Sequence, residues 1–167
     1  MTQSPKEDES LLDFAKIRKK YEKLSRGDQA QLGKRIGLPD DLAMMPAFYK
    51  LFPGIAPSKW HYRVAFIVPF IRHSDTSPEL GKYIGMLERS GKIGNIERRV
   101  LQIARATPPQ DVIYLKRLLM RFDEPAINWN KSGLAKLFSE NPAKNSEGKK
   151  KFIEQYFIGR HSAEKGE

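Results

Sequence analysis

Cysteine is absent from the sequence, which excludes disulfides, thiol catalysis and thiolate metal sites. Histidine is scarce. His61, His73 and His161 are the only three, and no two stand at the four-residue spacing with which a helix presents a metal. His61 lies in an apolar segment and reads as a packed core or edge residue, while His161 falls in a tail. Long apolar runs are missing as well. The most apolar stretch, VAFIVPFI (Val64 to Ile71), is far shorter than a membrane span of about 20 residues. There is no Gly-rich phosphate loop, because GKIGNI (Gly91 to Ile96) lacks the lysine position and glycine spacing of one. No run alternates apolar and polar residues as a half-buried strand does. The opening MTQSPKEDES is polar and acidic, unlike a signal peptide. These absences predict a soluble cytoplasmic protein with no membrane partner, cofactor or metal.

Acid is also in short supply. Thirty Lys and Arg face twenty Asp and Glu, a formal charge of +10 over 167 residues. Such an excess points to a polyanionic partner, most commonly nucleic acid, and says nothing about fold. The hydrophobic fraction of 40% is enough for a packed core.

What is present is helical period, and the fold class it predicts is all-α. Phe14, Ile17, Tyr21 and Leu24 share one stripe of a first helix from Leu11, with Lys16, Lys19, Lys20 and Lys23 on its other faces. Asp28 is placed to cap a short helix through Arg35. Pro46 suits the first turn of a helix carrying Phe48, Tyr49 and Leu51. Ser58 caps a helix through Ile71 that is apolar around most of its circumference, with Pro69 bending its end. That helix is expected to be central to the core. Ser77-Pro78 opens a helix to about Arg89, stopped by Ser90-Gly91. Asn95 caps the next, to Ala106. Thr107-Pro108-Pro109-Gln110 fits a capping box for a helix through Arg121. Asn130 or Ser132 begins one through Phe138. Glu140 to Lys150 reads as a polar joint, followed by a last helix to about Ile158. The expectation is eight or nine helices in two small bundles, residues 11–74 and 75–160. A frayed lead (1–10) and a tail (161–167) flank them.

The charge excess is concentrated. Lys16 to Arg35 holds eight bases and two acids, and Arg89 to Phe122 holds eight bases against Glu97 and Asp111. A solvated helix usually interleaves Glu with Lys for ~0.3–0.5 kcal/mol per pair, and these helices do not. On the 95–106 helix, Ile96, Val100, Ile103 and Ala104 share one side and Arg98, Gln102 and Arg105 nearly the opposite one. Arg99 flanks the apolar stripe. On the next helix, Val112, Leu115, Leu118, Leu119 and Phe122 face the core. Lys116 lies at the edge of that stripe, and Arg117 and Arg121 stand one turn apart outside. Arginine's planar fork grips phosphate in bidentate fashion, although its stem can equally pack over a core rim. A nuclease is the enzyme class to test on a basic chain. Glu147-Gly148-Lys149, with Asp40 as partner acid, has the form of one metal-dependent core, but that core needs adjacent strands and the sequence offers none.

DDLAMMPAFYKLF, SGKIGNIERRVLQIARA and YLKRLLMRFDEPAINW together resemble the CasB family, the small subunit of the type I-E CRISPR surveillance complex, Cascade. The matched parts run from about Asp41 to Phe52 and Ser90 to Phe138. The resemblance implies an all-α fold of two helical bundles and no catalytic activity. It implies two copies lying head to tail beside the backbone subunits that wrap the guide RNA, in contact with the large subunit. It also implies a basic surface that holds single- and double-stranded target DNA once an R-loop opens, with cutting left to a separate helicase-nuclease. Carried over by position, the implied nucleic-acid-binding residues are Arg99, Arg105, Lys116 and Arg117. Lys34, Arg35, Lys59 and Arg63 match basic family positions more loosely, as do Lys149 and Lys150 at the C-terminal end. Arg121 joins them from the helical projection above. The family carries a base in the loop after the Arg105 helix. This chain has Thr107-Pro108-Pro109 there, so the resemblance extends no phosphate contact to that loop. The competing expectation is a scaffold whose basic faces meet acidic partner subunits.

Overall fold

In a computed structural model of the chain, residues 14–162 are described. The expectations for residues 1–13 and 163–167 lie outside them. The protein is all-α. Among the described residues the only extended pairing is a two-residue parallel bridge, β1 (Arg72–His73) to β2 (Ala126–Ile127). A bridge of that length is too short to print an alternating pattern in the sequence.

The first helix, α1 (Phe14–Lys23), buries Phe14, Ile17 and Tyr21 as the stripe predicts. Its inward face also takes Arg18, which donates to the Val68 and Ile71 carbonyls and pairs with Glu22 and Glu124. The next helix, α2 (Arg26–Gln31), is shorter than expected and is capped by Ser25 rather than Asp28: the Ser25 hydroxyl accepts from the Asp28 N–H at 3.1 Å. After a 3-10 turn (Pro39–Met44) comes α3 (Pro46–Leu51), with Pro46 in its first turn. The helix that follows Ser58, α4 (Lys59–Ile67), buries Trp60, Val64, Ala65, Phe66 and Ile67, so it is the central element anticipated. Pro69 closes it, and the chain passes into a 3-10 turn, Val68–Phe70.

The second half begins with α5 (Leu80–Arg89). It starts two residues later than Ser77-Pro78 suggests, because the Pro78 carbonyl is taken by the Asn128 N–H. Gly91, at φ +81°, ends it. Then come α6 (Glu97–Arg105) and α7 (Gln110–Leu119). Asn95 does serve the start of α6, its Oδ1 accepting from the Glu97 N–H at 3.0 Å. Thr107 makes no capping bond to α7, whose entry is the cis Pro108–Pro109 bond. The predicted 130–138 helix is two pieces, α8 (Trp129–Ser132) and α9 (Leu134–Leu137), broken at Gly133 with φ +73°.

The largest departure is the C-terminal region. Glu140–Lys150, expected as a polar joint, is mostly the first half of a 20-residue helix, α10 (Pro142–His161). Asn141 caps it through the Ala143 and Lys144 N–H groups, and Pro142 sits at its first position. Gly148, which suggests a break, is needed for packing: a Cβ there would overlap the Leu137 backbone. Gly85 on α5 has the same role, where a Cβ would overlap the Tyr156 carbonyl of α10.

The sequence segments on either side of residue 74 share one hydrophobic cluster, from Phe14 to Tyr156. Phe14 stacks on Trp129 at 3.9 Å between ring centroids. The Trp60 indole N–H donates to the Ala135 carbonyl. The basic helices are held by other neighbours: α6 packs on α7 and α10, and α7 packs on α6 and α4.

Candidate nucleic-acid interface

Every base that the sequence nominates belongs to one of three structural classes. In the first the charge is used up inside. Arg63 is 2% exposed. Its guanidinium grips Asp111 with two bonds of 3.0 and 2.9 Å and donates to the Leu137 and Phe138 carbonyls at 2.9 and 2.8 Å. Lys149 reaches the same carboxylate at 3.2 Å and donates to the Ala106 carbonyl. The Asn145 amide donates to it at 3.3 Å. Burial pushes the Asp111 carboxyl up, but Arg63 and then Lys149 more than offset this, and it is held below the ordinary carboxylate range. The network ties α4, α7 and α10 together.

Lys116 is interior too. Its ammonium donates to the Gly33, Lys34 and Ile36 carbonyls and lies over the Phe66 and Phe70 rings, 4.6 and 5.5 Å from their centroids. Arg63, Lys116 and Lys149 therefore correct the expectation that they offer charge to a phosphate. Each stem enters the interior, and the head is satisfied by carbonyls or a carboxylate.

Burial pushes the Lys116 amine down to about 8. An amine lowered in the fold but not in the unfolded chain binds fewer protons folded than unfolded between about pH 8 and its ordinary value near 10.4. Stability therefore gains with rising pH across that window, while below pH 8 the contribution is constant. Urea unfolding from pH 7.5 to 10.5 is expected to show this rise in the wild type and a flatter profile in Lys116→Met. Parallel profiles would mean the amine does not titrate there.

The second class is paired at the surface. Lys59 binds Asp40 at 2.7 Å with both side chains more than half exposed, an arrangement worth little that leaves the lysine available. Glu147, proposed for a nuclease core, pairs with Lys136 at 2.9 Å on the outside of α10, whereas Lys149 of the same tripeptide points to Asp111. The tripeptide is helical, and its two ends face different surroundings. Among the described residues no group of three or more His, Asp or Glu could hold a metal ion. No helix among them is long and apolar enough to cross a membrane.

The third class is exposed and makes no ion pair or hydrogen bond with a carboxylate among the described residues: Lys34, Arg35, Arg99, Arg105, Arg117, Arg121 and Lys150, the last within electrostatic reach of Glu147. Lys34 and Arg35 ride on the loop whose carbonyls Lys116 holds. Arg98 and Arg105 line a groove of about 880 Å³ between α6 and α7. Arg98, Leu101, Gln102 and Arg105 line one wall, Gln110 and Tyr114 the other, and Thr107 the turn between them. Arg117 follows Tyr114 one turn along α7, and Arg121 stands two residues past the helix end. The Arg117 guanidinium lies 5.9 Å from the Tyr114 ring centroid. Glu97, the one acid at the groove, is engaged by Arg160 of α10.

Two residues gain importance that the sequence did not give them. Arg98, outward by projection but left as a plain surface residue by the resemblance, is in the groove wall beside Arg105. Tyr114 carries no charge to single it out, although its register is readable: Gln110, Tyr114, Arg117 and Arg121 fall three or four apart. Arg99 is exposed but does not line the groove.

Comparison with known proteins gives two findings. The CRISPR system Cascade subunit CasB of Escherichia coli (strain K12) is 32% identical over 133 residues, spanning 71% of this chain and 79% of that protein. A chain in the crystal structure of E. coli Cascade bound to a PAM-containing double-stranded DNA target superposes with a TM-score of 0.69 at 27% identity, covering 89% of this chain and 98% of that one. No protein-family model matches.

Proposed function

The chain belongs to the CasB family, and from that premise we propose that it is a non-catalytic Cascade subunit that grips nucleic-acid backbone and stabilises the R-loop. The observation that carries this reading is the α6–α7 face. Arg98, Arg105, Arg117 and Arg121 stand there exposed, without carboxylate partners among the described residues: Arg98 and Arg105 line the groove, Arg117 lies beside its Tyr114 wall, and Arg121 follows just past the end of α7. Guanidinium groups so placed suit phosphates and ask nothing of base sequence. In a different, single-protein CRISPR effector the guide RNA reads sequence while the protein holds backbone, and the exchange of duplex for heteroduplex is nearly energy-neutral. Under that balance a modest grip on a displaced strand shifts the outcome. Lys34, Arg35, Arg99 and Lys150 extend the same role to neighbouring surfaces, with Lys59 contributing once its weak surface pair opens. Self-association as two copies, and contact with guide RNA and with the backbone and large subunits, complete the proposal.

The test is salt. If the four arginines of the α6–α7 face neutralise about four phosphates, the affinity of the full chain for a single-stranded oligonucleotide falls with a log–log slope of roughly −3 in salt concentration. Fluorescence anisotropy between low and physiological salt measures it. A flat response would overturn the clamp.

A further inference from the structure

We propose that the α6–α7 groove seats an unstacked nucleobase of a single strand, with Tyr114 as its stacking face. This deepens the backbone-clamp reading and rests on it. A phosphate rail needs only cations, and the groove holds more than that. Its walls present Gln102, Thr107 and Gln110, whose side chains form no hydrogen bond with the described residues, and neither does the Tyr114 hydroxyl. Three of these four are exposed, and Tyr114 is half-buried with Leu101 across from it. An amide offers two donors and an acceptor in one plane, which suits the polar edge of a base. A tyrosine ring beside an apolar wall suits its face. Arg98 and Arg105 at one wall and Arg117 beyond Tyr114 lie where the flanking phosphates would run. At about 880 Å³ the groove falls within the roughly 300–1,000 Å³ of small-ligand sites, ample for one base and its sugar.

Other anions fit less well. An acidic peptide would use the arginines but leave the ring and the amides without work. Duplex DNA keeps its bases stacked and paired, out of reach of a groove floor. A displaced strand has its bases free, and stacking tolerates any of them. Preference among the four bases is accordingly expected to be slight.

The experiment compares two labelled single strands of equal length, one ordinary and one carrying abasic sugars throughout, so that phosphates match and bases do not. The full-length protein is titrated with each at low salt. The abasic strand is expected to bind about five- to a hundredfold more weakly, the range that base–aromatic stacking supplies. Tyr114→Ala lowers affinity for the ordinary strand towards that level and leaves the abasic strand unchanged. Tyr114→Phe keeps wild-type binding to both. Equal affinity of the wild type for the two strands would overturn the base seat while leaving the clamp intact. Failure to bind either strand would overturn the clamp and the seat with it. The wild-type comparison needs no variant, so misfolding of Tyr114→Ala cannot decide the matter.

Discussion

Arg63→Ala is expected to lower the stability of the fold by about 3–5 kcal/mol, the cost of leaving a buried ion without its partner. The substitution takes the bidentate guanidinium from Asp111, which is fully buried, removes the Arg63 donor to the Phe138 carbonyl, and leaves the Leu137 carbonyl only the Asn145 amide. Lys149 and Asn145 stay beside the carboxylate, but neither can replace a bidentate guanidinium. Domains have only about 5–15 kcal/mol in total, so the variant sits close to its unfolding threshold. For a chain of this size the midpoint of thermal unfolding should drop by roughly 6–20 °C. Arg63→Lys recovers little of that, because one ammonium cannot make the paired bonds. The same network gives an acid limit. Asp111 is held below the ordinary carboxylate range, so its contribution is complete above the unfolded value near 3.9 and is lost as pH falls through the lower folded value. Urea titration of Arg63→Ala checks the main claim. A loss under about 1 kcal/mol would mean that the interior repacks without the ion pair.

The second large effect is on binding rather than stability. Reversing Arg98, Arg105, Arg117 and Arg121 to Glu in the assembled complex is expected to weaken target binding by about 100-fold. Four screened surface contacts at ~0.7 kcal/mol each give roughly 3 kcal/mol, or two decades. The salt slope should flatten by about 3 at the same time. All four side chains are exposed, so thermal stability should change little. The experiment also separates clamp from scaffold. A clamp keeps its place in the complex and loses the R-loop. A scaffold whose arginines meet acidic subunits loses assembly first. Arg99→Glu alone is informative beside it. This residue is exposed but lies neither in the groove nor on the run from Tyr114 through Arg117 to Arg121, so its reversal tests whether the family position or the α6–α7 face carries the grip.

The sequence is legible where a single helix decides the outcome. The stripe of Phe14, Ile17 and Tyr21 and the apolar ring of α4 are buried as the period requires. Val100 and Ile103 face inward on α6 and leave its arginines outside. Where two helices decide, it is not. Gly148 and the polar run around it look like a joint because the reason for a glycine there is the backbone of α9, far from any local signal. Arg63 carried a warning, since it stands among Trp60, Val64 and Ile67 on an apolar helix, but no local pattern identified Asp111 as its partner.

The sequence by itself determined that the chain is helical, strongly basic, free of thiol chemistry and similar to one family. Helical period, composition and motif register are properties of the chain alone. Only the tertiary structure decided which bases remain free. A helical projection fixes the angle of a side chain about its own axis but not what packs opposite it, and a long basic stem can end in a carboxylate, under a carbonyl or in water. Arg63 and Lys149 ended inside because α4, α7 and α10 converge on one buried acid, Lys116 because the 33–36 loop turns its carbonyls onto α7, and Arg98 and Arg105 came to share a groove with Tyr114 because α6 and α7 leave a cleft between them.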